Sequence, residues 1–87
     1  MNTREAFDAI QRKLRGSAGT SVLDAFFDEN VFGNFWITYE RDSGRSSVVN
    51  DRGQLILNSG PADGQLARVL LDDLYSADAT TVLDSLS

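Results

Sequence analysis

The sequence predicts an α+β domain: two N-terminal helices, a three-stranded antiparallel meander, and C-terminal helices packed on one face of it. Three observations support this fold class: apolar residues at helical spacing before residue 30, an alternating pattern in the middle, and a second helical pattern after residue 63. The 87 residues fit a single domain over 1–87, since two halves would each be too small to hold a core.

The first predicted helix covers residues 3–15. Asn2 followed by Glu5 has the spacing of a capping box, in which each residue satisfies a free backbone amide of the other. Gly16 stands where a C-terminal cap is expected, and basic residues in the last turn complement the helix dipole. The apolar positions at helical intervals are Phe7, Ile10 and Leu14.

A glycine-containing joint at 16–20 separates this helix from a second one predicted over 21–29. Thr20 or Ser21 is available as its N-cap, and the polar run 28–30 would end it. A buried strand is the alternative interpretation of the same residues. The apolar residues spaced three and four apart are Val22, Leu23, Phe26 and Phe27.

From residue 31 the apolar pattern changes to alternation, which is typical of a strand with one face directed inward. Turn residues at 42–45 and 51–53 divide the segment, because Gly, Asp and Ser favour tight turns. The sequence therefore predicts three strands joined as an antiparallel meander. Their centres are Phe35 to Tyr39, Ser46 to Asn50, and Gln54 to Asn58.

Trp36 has two possible environments in the first of these strands. Large aromatic side chains dominate the interior of small domains, so we favour a core position for Trp36. In the alternative, Phe35, Ile37 and Tyr39 point inward and Trp36 lies beside Glu40 on the opposite face, where it could anchor a partner.

The C-terminal third predicts a further helix from residue 64 to residue 75 or 76, with Asp63 as its N-cap. A weaker helical pattern over 78–86 indicates either a short last helix or a frayed end. The apolar positions of the longer helix are Leu66, Val69, Leu70, Leu71, Leu74 and Tyr75.

Composition excludes several functional classes. The chain has no cysteine and no histidine, so thiolate metal sites, disulfides and the commonest general base are absent. The longest apolar run is three residues, against about 18 for a membrane span, and the first residues lack the apolar core of a signal peptide. We therefore expect a cytoplasmic protein that is not an enzyme and needs no cofactor or metal.

Asp24 and Asp28 are the best-spaced pair of carboxylates, because residues four apart share one face of a helix. Two carboxylates are too few for a usual Mg²⁺ or Ca²⁺ site, so an exposed helix face is the expected role of this pair. The adjacent Asp72 and Asp73 would point in different directions on a helix and cannot converge.

Charge is unevenly distributed along the chain. Residues 1–16 hold four basic and two acidic residues, a net +2, and residues 17–87 hold four basic and eleven acidic residues, a net −7. This acidic body disfavours nucleic acid and anionic membranes as direct partners and favours encounter with basic proteins.

The meander also carries a resemblance to a known class of proteins. Residues 32–40, the charged turn after them, and 48–57 with the turn Asp51-Arg52-Gly53-Gln54 resemble small acidic bacterial immunity proteins. These accompany polymorphic or contact-dependent growth inhibition toxins, and each neutralises one cognate toxin by binding it. The resemblance covers about residues 31–58 and implies a class of partner without assigning binding residues.

We therefore expect a protein-binding inhibitor that occludes a surface of a basic cognate toxin. Two alternatives stay open: an acidic mimic of DNA or a phage-encoded regulatory protein, and a homo-oligomer or homodimer that pairs exposed sheet edges, with the third strand of the meander as the candidate edge. The residues predicted to contact a partner, chosen for charge and aromatic character near one hairpin, are Trp36, Tyr39, Glu40, Asp42, Asp51 and Arg52.

Overall fold

The computed structural model describes residues 1–42, 44–60 and 66–86. These residues form two helices and one antiparallel sheet of five strands. The strand order follows the chain, so each strand pairs with its sequence neighbours. The elements are α1 (Thr3–Arg15), β1 (Thr20–Asp28), β2 (Asn34–Arg41), β3 (Gly44–Asp51), β4 (Gln54–Ser59), β5 (Leu66–Leu71) and α2 (Ala79–Asp84).

The first helix, α1, is confirmed with the predicted bounds. Asn2 caps it, since its side-chain oxygen accepts a hydrogen bond of 2.8 Å from the backbone N–H of Glu5. At the other end the N–H of Gly16 donates to the carbonyl of Arg12 at 3.0 Å. The buried side of the helix consists of Ala6, Phe7, Ala9, Ile10 and Leu14.

The predicted second N-terminal helix is wrong, because residues 20–28 form the strand β1. Val22 pairs with Tyr39 and Asp24 pairs with Thr38, which leaves Leu23 as an extra residue in a β-bulge. The extra residue breaks the alternation of inward and outward side chains. The apolar residues on the two sides of the bulge therefore imitate helical spacing.

The three strands predicted from alternation are present as β2, β3 and β4. The prediction of a three-stranded meander is nevertheless wrong, because β1 and β5 extend the sheet on both sides. β4 is consequently an interior strand, so it does not offer the exposed edge expected for self-association.

The predicted helix over 64–76 is wrong for its described residues. Leu66–Leu71 form β5, which pairs with β4 through a second register shift that leaves Leu70 between paired residues. Asp63 and residues 64–65 lie outside the described residues. The weaker pattern after residue 78 forms the short helix α2, whose N-cap Asp78 accepts a hydrogen bond of 2.8 Å from the N–H of Thr81.

Both helices pack on the same side of the sheet, which we call the inner face. The core between them includes buried residues of β2, β3 and β4 together with residues of α1 and α2. The ammonium group of Lys13 on α1 donates to the carbonyl of Leu83 on α2 at 2.9 Å and joins the two helices. The sheet residues of this core are Phe35, Ile37, Tyr39, Val48 and Leu55.

The favoured core position of Trp36 is wrong. Its neighbours Phe35 and Ile37 occupy the core, and Trp36 points to the opposite side with 41% of its surface exposed. Successive residues of a strand must point to opposite faces, so burial of Phe35 and Ile37 excludes burial of Trp36 in the same core.

Asn50 is the buried polar residue that joins two turns at one end of the sheet. Its amide nitrogen donates to the carbonyl of Gly33 at 3.1 Å, and its oxygen accepts from the N–H of Gly53 at 2.9 Å. In the same place the side-chain oxygen of Asn34 accepts from the N–H of Arg52 at 2.8 Å. The β1–β2 and β3–β4 turns are thereby held side by side.

Among the residues described, we find no helix that combines the length and the apolar character needed to cross a membrane.

Candidate functional site

An apolar row runs straight across the side of the sheet that faces away from both described helices, which we call the outer face. Each member is the direct cross-strand partner of the next, so the row passes through every strand of the described sheet. The apolar row consists of Phe26, Trp36, Val49, Ile56 and Val69.

Three side chains of the apolar row are more exposed than apolar residues that stabilise a fold usually are. Phe26 is 45% exposed and Val69 is 48% exposed, comparable to Trp36 on β2, while Val49 and Ile56 are partly buried. Large apolar side chains that remain this exposed in a continuous row indicate an interaction surface.

Trp36 makes two specific side-chain contacts within the outer face. Its ring stacks on that of Phe26, with centroids 4.6 Å apart and an interplanar angle of 25°. Its indole N–H donates to a carboxylate oxygen of Asp24 at 3.0 Å, which satisfies the polar edge of the ring. Both contacts fix the orientation of the tryptophan before any partner binds, which reduces the entropy lost on binding.

Carboxylates flank the apolar row on both sides. Asp28 lies two residues beyond Phe26 on β1, and Asp51 lies two residues beyond Val49 on β3, so both share the outer face. Glu40 lies towards the opposite end of the sheet, where its cross-strand partner is Arg45. The charged side chains of the outer face are Asp24, Asp28, Glu40, Asp51 and Arg45, a net charge of −3 over the described strands.

A shallow groove of about 280 Å³ lies between the apolar row and the carboxylates at one end of the outer face. Three members of the apolar row form its apolar part, and polar side chains of the next cross-strand row form its rim. We call it the Trp36 groove. The outer-face residues that line it are Phe26, Trp36, Val49, Asp28, Asn34 and Asp51.

The structure brings some of the predicted contact residues together and separates others. Trp36, Glu40 and Asp51 lie on the outer face, whereas Tyr39 is 8% exposed on the inner face beneath the guanidinium of Arg41. The side chain of Tyr39 is therefore not presented beside Trp36.

The two turn residues in the predicted set lie at opposite ends of the sheet. Asp42 is exposed in the β2–β3 turn with φ of 52°, and Arg52 is exposed in the β3–β4 turn with φ of 54°. Glu40 is close to the first turn and Asp51 to the second. The predicted residues thus form two groups, of which the group containing Asp51 adjoins the Trp36 groove.

Sequence reasoning missed the rest of the apolar row. Phe26 and Val69 were assigned to helices, and Val49 and Ile56 were assigned to strands without an outer-face role. The register would have linked them, since Trp36 faces Val49 across β2 and β3, and Val49 faces Ile56 across β3 and β4. Pairing the predicted hairpins residue by residue would have found this central part of the row.

A second exposed aromatic residue lies at the turn end of the sheet. Phe32 is 65% exposed, and the guanidinium of Arg52 lies 5.3 Å from its ring centroid. Both residues have positive φ, 55° for Phe32 and 54° for Arg52, a conformation that is uncommon for residues with large side chains. For Arg52 this conformation belongs to the two-residue β3–β4 hairpin turn, in which Gly53 also has positive φ.

The opposite edge of the molecule has a different character. A larger depression of about 540 Å³ lies between α1 and β1 and includes the guanidinium groups of Arg4 and Arg15. Arg4 forms an ion pair with Asp8 at 3.5 Å, and Arg15 donates to the side-chain oxygen of Gln11 at 3.3 Å. These partners explain the basic residues as features of the helix surface.

The carboxylate pair expected on a helix face has a different geometry. Asp24 and Asp28 belong to β1, where residues four apart are about 13 Å apart along the strand. Within residues 1–42, 44–60 and 66–86, no three acidic side chains come close enough to hold a metal ion.

Comparison with known proteins identified no relative of this chain. No protein-family model matches the chain, and searches of curated proteins and of solved structures gave no match.

Proposed function

We propose that this protein is an inhibitor that binds a basic protein through its outer face, and that its partner is a bacterial toxin of the polymorphic or contact-dependent type. The observation that supports this most strongly is the apolar row of Phe26, Trp36, Val49, Ile56 and Val69 with carboxylates on both sides. Inhibition is stoichiometric, without turnover and without a cofactor, and takes place in the cytoplasm.

The composition of the outer face fits protein recognition. Interface hot spots are enriched in tryptophan and tyrosine, lie near the centre of the contact, and are surrounded by polar residues that exclude water. Trp36 lies between Phe26 and Val49 in the apolar row, with Asp24 and Asp28 nearby on β1. The net negative charge of the face accelerates encounter with a basic surface and disfavours acidic competitors.

The toxin as partner is the more specific part of the proposal. It rests on the resemblance of residues 31–58 to immunity proteins, and this segment covers β2, β3 and most of β4. Trp36 and Asp51 in this segment lie on the outer face beside the Trp36 groove. Binding there would cover the substrate-binding or active surface of the toxin.

The geometry favours a protein partner over the two alternatives. A mimic of DNA needs rows of acidic groups at phosphate-like spacing, whereas here an apolar row separates the carboxylates. The third strand of the predicted meander, the edge expected for self-association, is β4, which pairs with a strand on each side. A partner with basic residues around an apolar centre matches both features of the face.

The test is complex formation with, and rescue from, the toxin encoded by the neighbouring gene. We expect a 1:1 complex in calorimetry and restored growth on co-expression. Trp36→Ala should weaken binding at least 30-fold, equivalent to about 2 kcal/mol for a hot-spot residue.

Leu23→Ala is the matched control. Leu23 is 47% exposed in β1 but occupies the bulge, outside the apolar row. This variant should bind and rescue like the original protein. Absence of a complex, or full rescue by Trp36→Ala together with Phe26→Ala, would refute the proposed role of the outer face.

A further inference from the structure

We propose that the Trp36 groove receives an arginine side chain of the partner protein. This inference rests on the proposed function and makes it more specific, because it names the chemical group that the outer face recognises. It combines three features of the groove: an apolar floor, a rim with two carboxylates, and a size that fits one side chain.

The floor of the groove suits the aliphatic part of a long basic side chain. Phe26, Trp36 and Val49 line it from three adjacent strands, and the stacked pair of aromatic rings forms its largest apolar part. Arginine buries its methylene groups on such surfaces while its charged end remains near polar groups. A guanidinium also gains energy beside an aromatic ring.

The rim supplies the opposite charge. Asp28 and Asp51 line the groove on either side of Asn34. A carboxylate oxygen of Asp28 accepts from the N–H of Asn30 at 3.0 Å, which holds that carboxylate in place and leaves its other oxygen available. A planar guanidinium has five N–H donors, so it can address two carboxylates at once, which a lysine ammonium does less well.

The protein's own arginines do not neutralise this rim. Arg52 follows Asp51 in sequence, but its guanidinium lies over the ring of Phe32. Arg45 is the cross-strand partner of Glu40 near the far end of β2 and β3. In the part of the chain that the structure describes, the one ion pair within 4.0 Å joins Arg4 and Asp8 on α1.

The groove is small. Its volume of about 280 Å³ lies near the lower end of the range of roughly 300–1,000 Å³ that is typical of small-molecule sites. One arginine side chain fits such a space, and the rest of the partner would cover the remaining apolar row. The groove is therefore a pocket for one anchor residue within a larger interface.

The experiment uses the full chain labelled with ¹⁵N and titrated with N-acetyl-arginine amide. N-acetyl-citrulline amide is the control ligand, since it has the same length without the charge. We expect the arginine derivative to shift the indole N–H signal of Trp36 and the amide signals of Asp28 and Asp51 saturably in the millimolar range, with weaker binding at high salt.

Variants of the same labelled chain locate the effect. Asp51→Asn should weaken binding three- to tenfold, and Trp36→Ala should abolish saturable shifts. Asp72→Asn is the control, because Asp72 is an exposed carboxylate after β5 and outside the groove. Unchanged amide spectra away from the substitution would show that each variant is folded.

Three outcomes would overturn the inference: equal shifts with the citrulline derivative, shifts spread over all exposed carboxylates, or tighter binding of N-acetyl-lysine amide. The two proposals fail in distinguishable ways. A toxin complex that depends on Trp36 without arginine binding refutes the arginine pocket alone. Saturable arginine binding without any toxin complex supports the pocket and refutes the proposed toxin partner.

Discussion

The two faces of the same strand, β2, differ in what their side chains do. Phe35 is 1% exposed and packs against Phe7 of α1 with ring centroids 5.3 Å apart. Trp36, the next residue, lies on the outer face beside Phe26 and a carboxylate. The inner face therefore holds the fold together, whereas the outer face keeps large apolar groups accessible to a partner.

The largest expected effect is the loss of an inner-face aromatic ring. Phe35→Ala should lower the free energy of unfolding by about 3–5 kcal/mol, because it removes the transfer energy of the ring and leaves a cavity. Trp36→Ala on the opposite face should cost about 1 kcal/mol or less, since that ring is already partly hydrated. Urea unfolding of both variants measures the difference, and equal losses would contradict the division between the faces.

The next effect concerns the buried amide that joins the two turns. Asn50→Ala should destabilise the protein by about 2–3 kcal/mol, because the N–H of Gly53 and the carbonyl of Gly33 lose their partner. The control is Asn58→Ala on the outer face of β4, for which we expect a change within about 0.5 kcal/mol. Thermal unfolding followed by circular dichroism compares them. Similar losses would show that Asn50 has no special role.

Two glycines with positive φ allow the cost of steric crowding to be measured apart from the cost of the backbone conformation. A Cβ at Gly53, where φ is 94°, would come within 2.5 Å of the ring of Tyr75, whereas a Cβ at Gly19, where φ is 76°, meets nothing within 4 Å. We expect Gly53→Ala to cost about 2–3 kcal/mol and Gly19→Ala about 1 kcal/mol. Chemical denaturation of both variants measures this. A smaller cost at Gly53 would mean that the Tyr75 ring moves away freely.

The smallest expected effect is a loss of stability at low pH, caused by two aspartates in the segment that joins β5 to α2. A hydrogen bond from the hydroxyl of Ser76 lowers the pKa of Asp73, and the backbone N–H of Thr81 lowers the pKa of Asp78, both below the usual 3.8. Carboxylates with a lowered pKa in the folded state stabilise it above the unfolded pKa and lose this contribution as the pH falls through the folded pKa. The melting temperature should therefore decline below about pH 4.

Asp78→Asn tests the sign of this effect. The amide oxygen can still cap α2, but it does not titrate, so the decline of the melting temperature below pH 4 should be shallower in the variant. Melting curves at a series of pH values provide the measurement. An identical decline in both proteins would assign the acid sensitivity to other groups.

Sequence reasoning succeeded where the local pattern was regular and failed where a bulge interrupted it. The helix α1 has a cap and uninterrupted helical spacing, and burial alternates along β2 from Phe35 to Tyr39. β1 and β5 each contain an extra residue, Leu23 and Leu70, which displaces the alternation by one position. Three- and four-residue spacing results, and it is indistinguishable from a helix in one sequence.

The candidate site was predictable only in part for the same reason. Trp36, Glu40 and Asp51 could be proposed from charge and aromatic character, and they lie on the outer face. Which face Trp36 occupies depends on how many layers cover the sheet, and this is a tertiary property. The apolar row also includes residues of β1 and β5. It could not be predicted from a sequence interpretation in which those two segments are helices.

The strand order has a consequence for how the chain folds. Because every strand pairs with its sequence neighbour, each hairpin closes over a short loop and costs little entropy. Among the hydrogen bonds of the described residues, the two most distant in sequence are donated by the nitrogen of Met1 to the carbonyls of Tyr75 and Ala77, both at 2.9 Å. The sheet can therefore form through successive local hairpins, whereas docking of the two ends of the chain is the step that closes the largest loop.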